Sequence, residues 1–248
     1  MSMPRKIRCT VESVIDHGGR VYTVDLLPSL PVPSFRPGQF LHLTVEEYDP
    51  ASFWPESRVF SIASSPKERQ RLRICYSVKG RYTTRMEHQL EVGSQAWVKL
   101  PYGDFVVEDN EEAVLVAGGT GISAFTAFIE ALPPESGRQV WLVYGARDPS
   151  LWLFREMLLQ RFAATPAFQL LLFVESMRGG WSDNLKALPR QPRVLTGQIS
   201  LDQIWAEVPE PAHKVFYLSG PPIMLTTLGQ GLLARGVPTE QIRTDAWE

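Results

Sequence analysis

The chain has 248 residues, 44% apolar and 21% charged, a composition that suits one or two globular domains with a sizeable core. Its formal charge of -2 gives no general attraction to nucleic acid or to an anionic membrane, and no apolar stretch approaches the length of a membrane span. Two cysteines, Cys9 and Cys75, are too few for a disulfide framework, a four-cysteine zinc site or an iron–sulfur cluster. With no apolar run after the charges at Arg5 and Lys6, the expectation is a soluble, cytoplasmic protein without nucleic-acid partners or membrane insertion.

Alternating apolar and polar residues predict six short strands, at 6–14, 21–26, 39–45, 58–62, 71–78 and 95–100, an antiparallel barrel or sandwich. Pro37-Gly38 fits a type II turn within this region. At Glu108-Asp109-Asn110-Glu111-Glu112, four acids in five residues read as a solvated connector. Beyond it a continuous apolar run at 113–117 has the character of a strand buried on both faces. Helical spacing follows at 122–132, then strands at 139–144, 168–174 and 214–218 and helices at 149–162 and 223–235. Strands alternating with helices predict a doubly wound parallel sheet, so the chain divides into domains at 1–108 and 109–248. Lys and Arg against Asp and Glu number 14 and 12 before the division, leaving +2, and 11 and 15 after it, leaving -4.

Gly118-Gly119-Thr120-Gly121-Ile122-Ser123-Ala124 joins the buried strand to its helix. From Gly119 it matches G-x-G-x-x-A, the pattern that lets helix N-terminal amides approach a pyrophosphate; the plainer reading is a tight strand-to-helix turn. The second strand of the region ends in Tyr144-Gly145-Ala146-Arg147-Asp148, where Arg147 suits a phosphate and Asp148 either a ribose or a helix cap.

Arg58-Val59-Phe60-Ser61 lies on a predicted strand, with Arg58 and Phe60 on one face and Ser61 on the other. An arginine beside an aromatic ring and a hydroxyl suits a phosphate and a planar ring, although a surface strand alone would read the same. Val78-Lys79-Gly80-Arg81-Tyr82-Thr83-Thr84-Arg85 then offers a second anion contact ahead of a helical stretch. Seven Lys or Arg against one Glu between Lys67 and Arg85 read either as a solvated basic edge or as a surface for a cofactor diphosphate or an acidic protein. The four histidines show no paired metal spacing, and Cys75 reads as a buried, inert thiol.

Taken in order, Arg58–Ser61, Gly80–Met86, Gly118–Gly121 and Ser219-Gly220-Pro221-Pro222 resemble the ferredoxin–NADP reductase family, its bacterial and ferric-reductase-like branches more than the plant enzymes. The resemblance covers essentially the whole chain. It implies an N-terminal antiparallel Greek-key β-barrel, a C-terminal α/β nucleotide-binding domain, FAD held between them and NADPH or NADH as hydride donor. It implies that Arg58 meets the FAD diphosphate, that Phe60 packs on the flavin or its ribityl chain, and that Ser61 hydrogen-bonds near flavin N5. Val59 and Tyr82 belong to the same FAD-binding set, Thr83 and Thr84 continue the diphosphate site, and Val78, Lys79 and Gly80 lend backbone contacts. On the nicotinamide nucleotide the resemblance implies Gly119, Thr120, Gly121, Ile122, Gly145, Arg147, Ser176, Arg178, Gly220, Pro221 and Pro222. Ser219 lies beside the nicotinamide ring, and Trp247, in the terminal acidic-x-aromatic segment, stacks over the flavin until nicotinamide displaces it; the plainer reading of Trp247 is a residue closing the sheet edge.

The sequence departs from the family at three of these places: Phe60 stands for the usual tyrosine, Ala124 for a frequent proline and Ser219 for a frequent cysteine. Arg147, Ser176 and Arg178 favour a 2′-phosphate, whereas Glu175 opposes one, so the pattern leans to NADPH. The expected activity is an FAD-dependent NAD(P)H oxidoreductase, with Ser61, Ser219 and Trp247 at the reacting rings. Its electrons pass to an external acceptor, a ferredoxin or flavodoxin, an oxygenase component or a ferric chelate, with an acidic carrier protein among the candidates. The chain itself is expected to be a monomer or weak oligomer. The alternative is an FAD-binding electron-transfer or regulatory subunit with little turnover alone.

Overall fold

The computed structural model describes residues 3–108, 111–176 and 189–245. They form two compact units: residues up to Val106 together with Ser123–Phe128, and Val107–Ile122 together with the chain from Ile129 onward.

In the first unit the strands are β1 (Arg5–Asp16), β2 (Val21–Pro28), β3 (Phe40–Thr44), β4 (Arg58–Ser61), β5 (Leu72–Ser77) and β6 (Gln95–Tyr102). They pair antiparallel in the order β4-β3-β6-β1-β2-β5. The period-2 pattern explains the curvature: Ile7, Cys9 and Val11 of β1 are each 1% exposed and point inward, while the residues between them face out. The two edges approach beyond β4, where the Ala63 amide donates to the Arg73 carbonyl (2.9 Å) and the Arg73 amide to Ser64 Oγ (3.2 Å), giving a nearly closed Greek-key barrel. Val24, Leu26, Leu41, Leu43, Ile74 and Val98 fill it, and each such side chain contributes about 1.5–3 kcal/mol on burial. One helix, α1 (Arg81–Gln89), packs on this core through Tyr82 and Met86.

The second unit is built on β7 (Ala113–Gly118), β8 (Val140–Ala146), β9 (Phe168–Val174), β10 (Arg193–Thr196), β11 (Val215–Ser219) and β12 (Ile242–Thr244), all parallel, in the order β10-β9-β8-β7-β11-β12. Val114 to Ala117 are fully buried, as a strand covered on both faces must be. The helix α2 (Ser123–Ala131), which follows β7, belongs to the first unit as far as Phe128; among the described residues the helices of the second unit are α3 (Arg155–Ala164), α4 (Leu201–Glu207) and α5 (Pro222–Ala234). The chain steps outward from β7 to β10, then returns past β7 to lay down β11 and β12. The direction of winding therefore reverses between β7 and β11, the place where open α/β sheets receive ligands.

Every predicted strand is present, but three elements escape the sequence patterns. β10 and β12 are short, with no fully buried residue, and α4 has seven residues. The predicted helix over 149–162 is divided. Asp148 caps a single 3₁₀ turn, Pro149–Leu151, by accepting from the Ser150 amide (2.9 Å), and the left-handed Phe154 (φ 57°) separates this turn from α3.

The acidic connector is not simply solvated. Glu111 accepts from Tyr217 Oη (3.0 Å) and from Arg243 Nη2 (3.0 Å), the Glu108 amide donates to Tyr217 Oη (3.1 Å), and Glu112 pairs with the buried Lys214. The acids answer buried polar groups at the floor of the parallel sheet, since a buried cation or hydroxyl left without a partner is costly. Burial pushes the Tyr217 phenol up to about 12. No helix among the described residues is long and apolar enough to cross a membrane.

Arg190 closes the far end of α3. Its guanidinium lies 3.8 Å over the Phe162 ring and donates to the carbonyls of Phe162 (2.9 Å), Thr165 (2.7 Å), Pro166 (3.0 Å) and Phe168 (2.6 Å). These include acceptors that the helix end leaves without intrahelical partners. Arg190→Ala is expected to lower stability by about 2 kcal/mol or more, read as a drop in the thermal unfolding midpoint, whereas Arg190→Lys should recover only part of it.

Candidate functional site

On the barrel, β3 and β4 pair with Leu41 opposite Phe60 and Leu43 opposite Arg58, so Arg58 and Phe60 share one face while Val59 and Ser61 take the other. Phe60 packs against the barrel core, 6.0 Å from the Tyr76 ring, which in turn stacks on Tyr22 at 5.4 Å. Arg58 lies 4.6 Å over the ring of Tyr82 and donates to the Ser57 carbonyl (2.8 Å) and to Glu56 Oε1 (2.9 Å). Tyr82, read from the sequence as part of the ligand-contacting set, is 2% exposed. Its hydroxyl donates to the Glu56 carbonyl (2.9 Å) and receives the Val45 amide (3.2 Å). It is a post that fixes the segment leading into β4 and supports the Arg58 guanidinium.

α1 begins beside this post. Gly80, extended at φ -155°, has no side chain with which to cap the helix, and a Cβ built on it meets nothing within 4 Å. Thr83 Oγ1 accepts from the Lys79 amide (2.9 Å) and the Gly80 amide (3.1 Å), and Thr84 Oγ1 accepts from Arg20 Nη2 (3.5 Å). The Val78 amide is already given to the Arg20 carbonyl (3.0 Å). What remains is an open helix N-terminus with Arg58, Arg81 and Arg85 near it, a donor set suited to a polyanion. Farther back in the basic stretch two arginines are paired internally, Arg71 with Glu12 and Arg73 with Asp25, and Arg69 donates to the Val32 carbonyl.

In the second unit Gly119–Ile122 form one 3₁₀ turn that runs into α2. Gly119 takes φ 54°, open to solvent where a side chain would stand. A Cβ on Gly121 would collide with the Ser219 carbonyl, lying 2.5 Å from its carbon and 2.7 Å from the Gly220 amide nitrogen. The loops after β7 and β11 thus meet at the winding reversal, bringing Gly119, Thr120 and Gly121 beside Ser219, Gly220, Pro221 and Pro222, with Pro222 opening α5. Ile122 is fully buried and supports the turn.

Ser219 Oγ donates to Asp245 Oδ2 (2.9 Å), both residues being buried. The sequence marks this carboxylate only as the opening of the acidic-x-aromatic segment, with nothing to tie it to Ser219. Farther along the strand ends, Ile199 packs over Gly145, the Ser176 amide donates to the Arg147 carbonyl (3.1 Å), and Glu175 accepts from Gln198 (3.5 Å). Asp148 serves as a cap. Arg178 and Trp247 lie outside the described residues. Both cysteines are buried free thiols whose pKa burial pushes up to about 12, so neither supplies a thiolate.

Residues 115–229 match the family model for the oxidoreductase NAD-binding domain. The phenol hydroxylase P5 protein of Acinetobacter pittii is 28% identical over 253 residues, covering 96% of this chain and 66% of its own. A flavohemoprotein of Deinococcus radiodurans is 26% identical over 193 residues, covering 77% and 46%. The flavohem-like FAD/NAD-binding domain of a nitric oxide dioxygenase from Vibrio cholerae superposes with a TM-score of 0.77 at 22% identity, covering 96% and 97%. Residues 115–229 are thus an oxidoreductase NAD-binding domain, and the chain as a whole is similar to ferredoxin–NADP reductase-like proteins. It spans about half to two thirds of the length of the two curated relatives, and the likeness to the superposed domain extends over the barrel and the parallel sheet that follows it.

Two measurements probe this geometry. Gly121→Ala should force the two loops apart and cost about 1–3 kcal/mol in unfolding free energy, whereas Gly119→Ala, facing open space, should cost about 1 kcal/mol from its positive φ alone. In the first unit, Arg20, with Tyr22, holds the Glu87 carboxyl of α1 down to about 2 from its ordinary 4.5. The stability this adds is full above the unfolded value and is lost as pH falls from about 4.5 through about 2. Acid titration of Glu87→Gln should lack that part of the wild-type decline.

Proposed function

We propose that the chain is an FAD-dependent NAD(P)H oxidoreductase, with residues 1–108 holding FAD and residues 109–248 the nicotinamide dinucleotide. The carrying observation is the pairing of two different anion sites in one chain: Arg58 with the uncapped α1 N-terminus on the barrel, and the interlocked glycine loops at the reversal of the parallel sheet. The donors fit the groups: a guanidinium and free helix amides for a diphosphate, and an open glycine turn for a second pyrophosphate. When bound, FAD supplies the redox chemistry, taking a hydride from nicotinamide and giving up electrons singly or in pairs.

This chain's residues bind and orient. Arg58 and the amides that open α1 would hold the FAD diphosphate, with Thr84 and the Val59 main chain beside them; the Val78, Lys79 and Gly80 amides and the Thr83 hydroxyl, already paired within the chain, shape that turn, and Phe60, backed by Tyr76, is the apolar wall for the flavin. Ser61 offers its hydroxyl at the flavin edge. Ser219, its proton committed to Asp245, presents oxygen lone pairs toward the nicotinamide, and Trp247 is the stacking aromatic two residues beyond that acid. Arg147, Ser176 and Arg178 favour NADPH, opposed by Glu175 with its Gln198 partner. Two buried thiols are too few to hold an iron–sulfur cluster, so the acceptor that bound FAD would serve is a separate one, a carrier protein, an oxygenase component or a ferric chelate. Names such as phenol hydroxylase P5 protein support the oxygenase component.

Purified protein given FAD should turn yellow and oxidise NADPH or NADH with ferricyanide. Arg58→Ala should raise the FAD dissociation constant at least tenfold, roughly the loss of one charge-assisted contact. A colourless protein that takes up no FAD and oxidises neither nucleotide would reject the proposal.

A further inference from the structure

One acid stands where the proposed diphosphate belongs. Glu56 Oε1 is 2.9 Å from Arg58 Nη2, and Glu56 Oε2 is 3.9 Å from Arg81 and 4.0 Å from Arg85. Arg85 has a second acid, Glu46, at 2.9 Å, and its guanidinium lies 5.6 Å from the Tyr82 ring that also carries Arg58. The Glu56 backbone is pinned through its carbonyl to Tyr82 Oη, while its side chain, 37% exposed, borders water. A carboxylate so tethered gathers three guanidiniums without consuming the helix amides behind them.

We propose that Glu56 is an internal counter-anion, holding Arg58, Arg81 and Arg85 together in the cofactor-free chain and turning away when the FAD diphosphate takes its place, so that it sets FAD affinity. The inference rests on the reading of Arg58 as the diphosphate ligand. Its physical basis is competition: the same donors cannot serve both anions, and two anions in one cluster repel. An exposed ion pair is weak, so the carboxylate tempers affinity by a modest factor rather than abolishing binding.

The test is titration of the apoprotein with FAD and, separately, with riboflavin, which carries the same ring system and no diphosphate, followed by quenching of flavin fluorescence. Glu56→Gln should bind FAD about three- to tenfold more tightly than wild type, with riboflavin unaffected. Glu47→Gln, an equal charge change at an exposed neighbour, should leave FAD affinity unchanged. Equal or weaker FAD binding by Glu56→Gln, or an equal gain for riboflavin or for Glu47→Gln, would overturn the counter-anion role. If Arg58→Ala still weakens FAD binding in that case, the proposed function survives; a wild-type chain that binds no FAD overturns both. Should Glu56→Gln fold poorly, as judged by its unfolding midpoint, Glu56→Ser is read by the same criteria.

Discussion

At the carboxyl ends of β7 and β11 two backbone loops come so close that Gly121 has no space for a side chain against Ser219 and Gly220. The strand order imposes this contact. Successive strands are laid down to one side of β7 until the chain returns to add β11 on the other, and the loops leaving these neighbours have nowhere else to go. The glycine-rich turn, the serine of the second loop and the Asp245 carboxylate are thereby gathered without any dedicated scaffold, because β12 beside β11 delivers Asp245, whose amide donates to the Leu218 carbonyl (2.8 Å).

The barrel solves a related problem with different parts. An antiparallel sheet has no winding reversal, so the proposed anion site lies where a strand end, Arg58, meets a helix start, Gly80. The buried Tyr82 makes the two coincide: one end supports guanidiniums and the other hydrogen-bonds the segment before β4. A phenol with its hydroxyl satisfied and its ring packed can bear charged groups at the surface while belonging to the core. Tyr82 therefore serves both the core and the proposed site, and a change there is expected to disturb both.

Much of this was legible in the sequence, for reasons that also explain what was not. Alternation over β1 to β6 and the apolar run of β7 are direct consequences of burial on one face or two, and the glycine loop announces itself because only small residues fit. β10 and β12 bury too little to leave a periodic trace. The acids at 108–112 look like solvent-facing charge until Tyr217, Lys214 and Arg243, distant in the chain, are brought to them. The basic stretch from Lys67 to Arg85 reads as one surface in the sequence, yet Arg71 and Arg73 are taken by Glu12 and Asp25 while Arg81 and Arg85 stand beside Glu56, since charge counts carry no information about partners. Ser219 was singled out from its motif, but the acid it bonds lies 26 positions on, and that pairing required the sheet.

The central claim is that these residues pass reducing equivalents from a nicotinamide dinucleotide to a bound flavin. Anaerobic mixing of the FAD-loaded protein with NADPH, and separately with NADH, under single-turnover conditions tests it most directly. The account predicts loss of the flavin's visible absorbance on mixing with at least one of the two, at a rate that saturates with nucleotide concentration as a binding site requires. Persistence of the oxidised flavin spectrum with both nucleotides would contradict it.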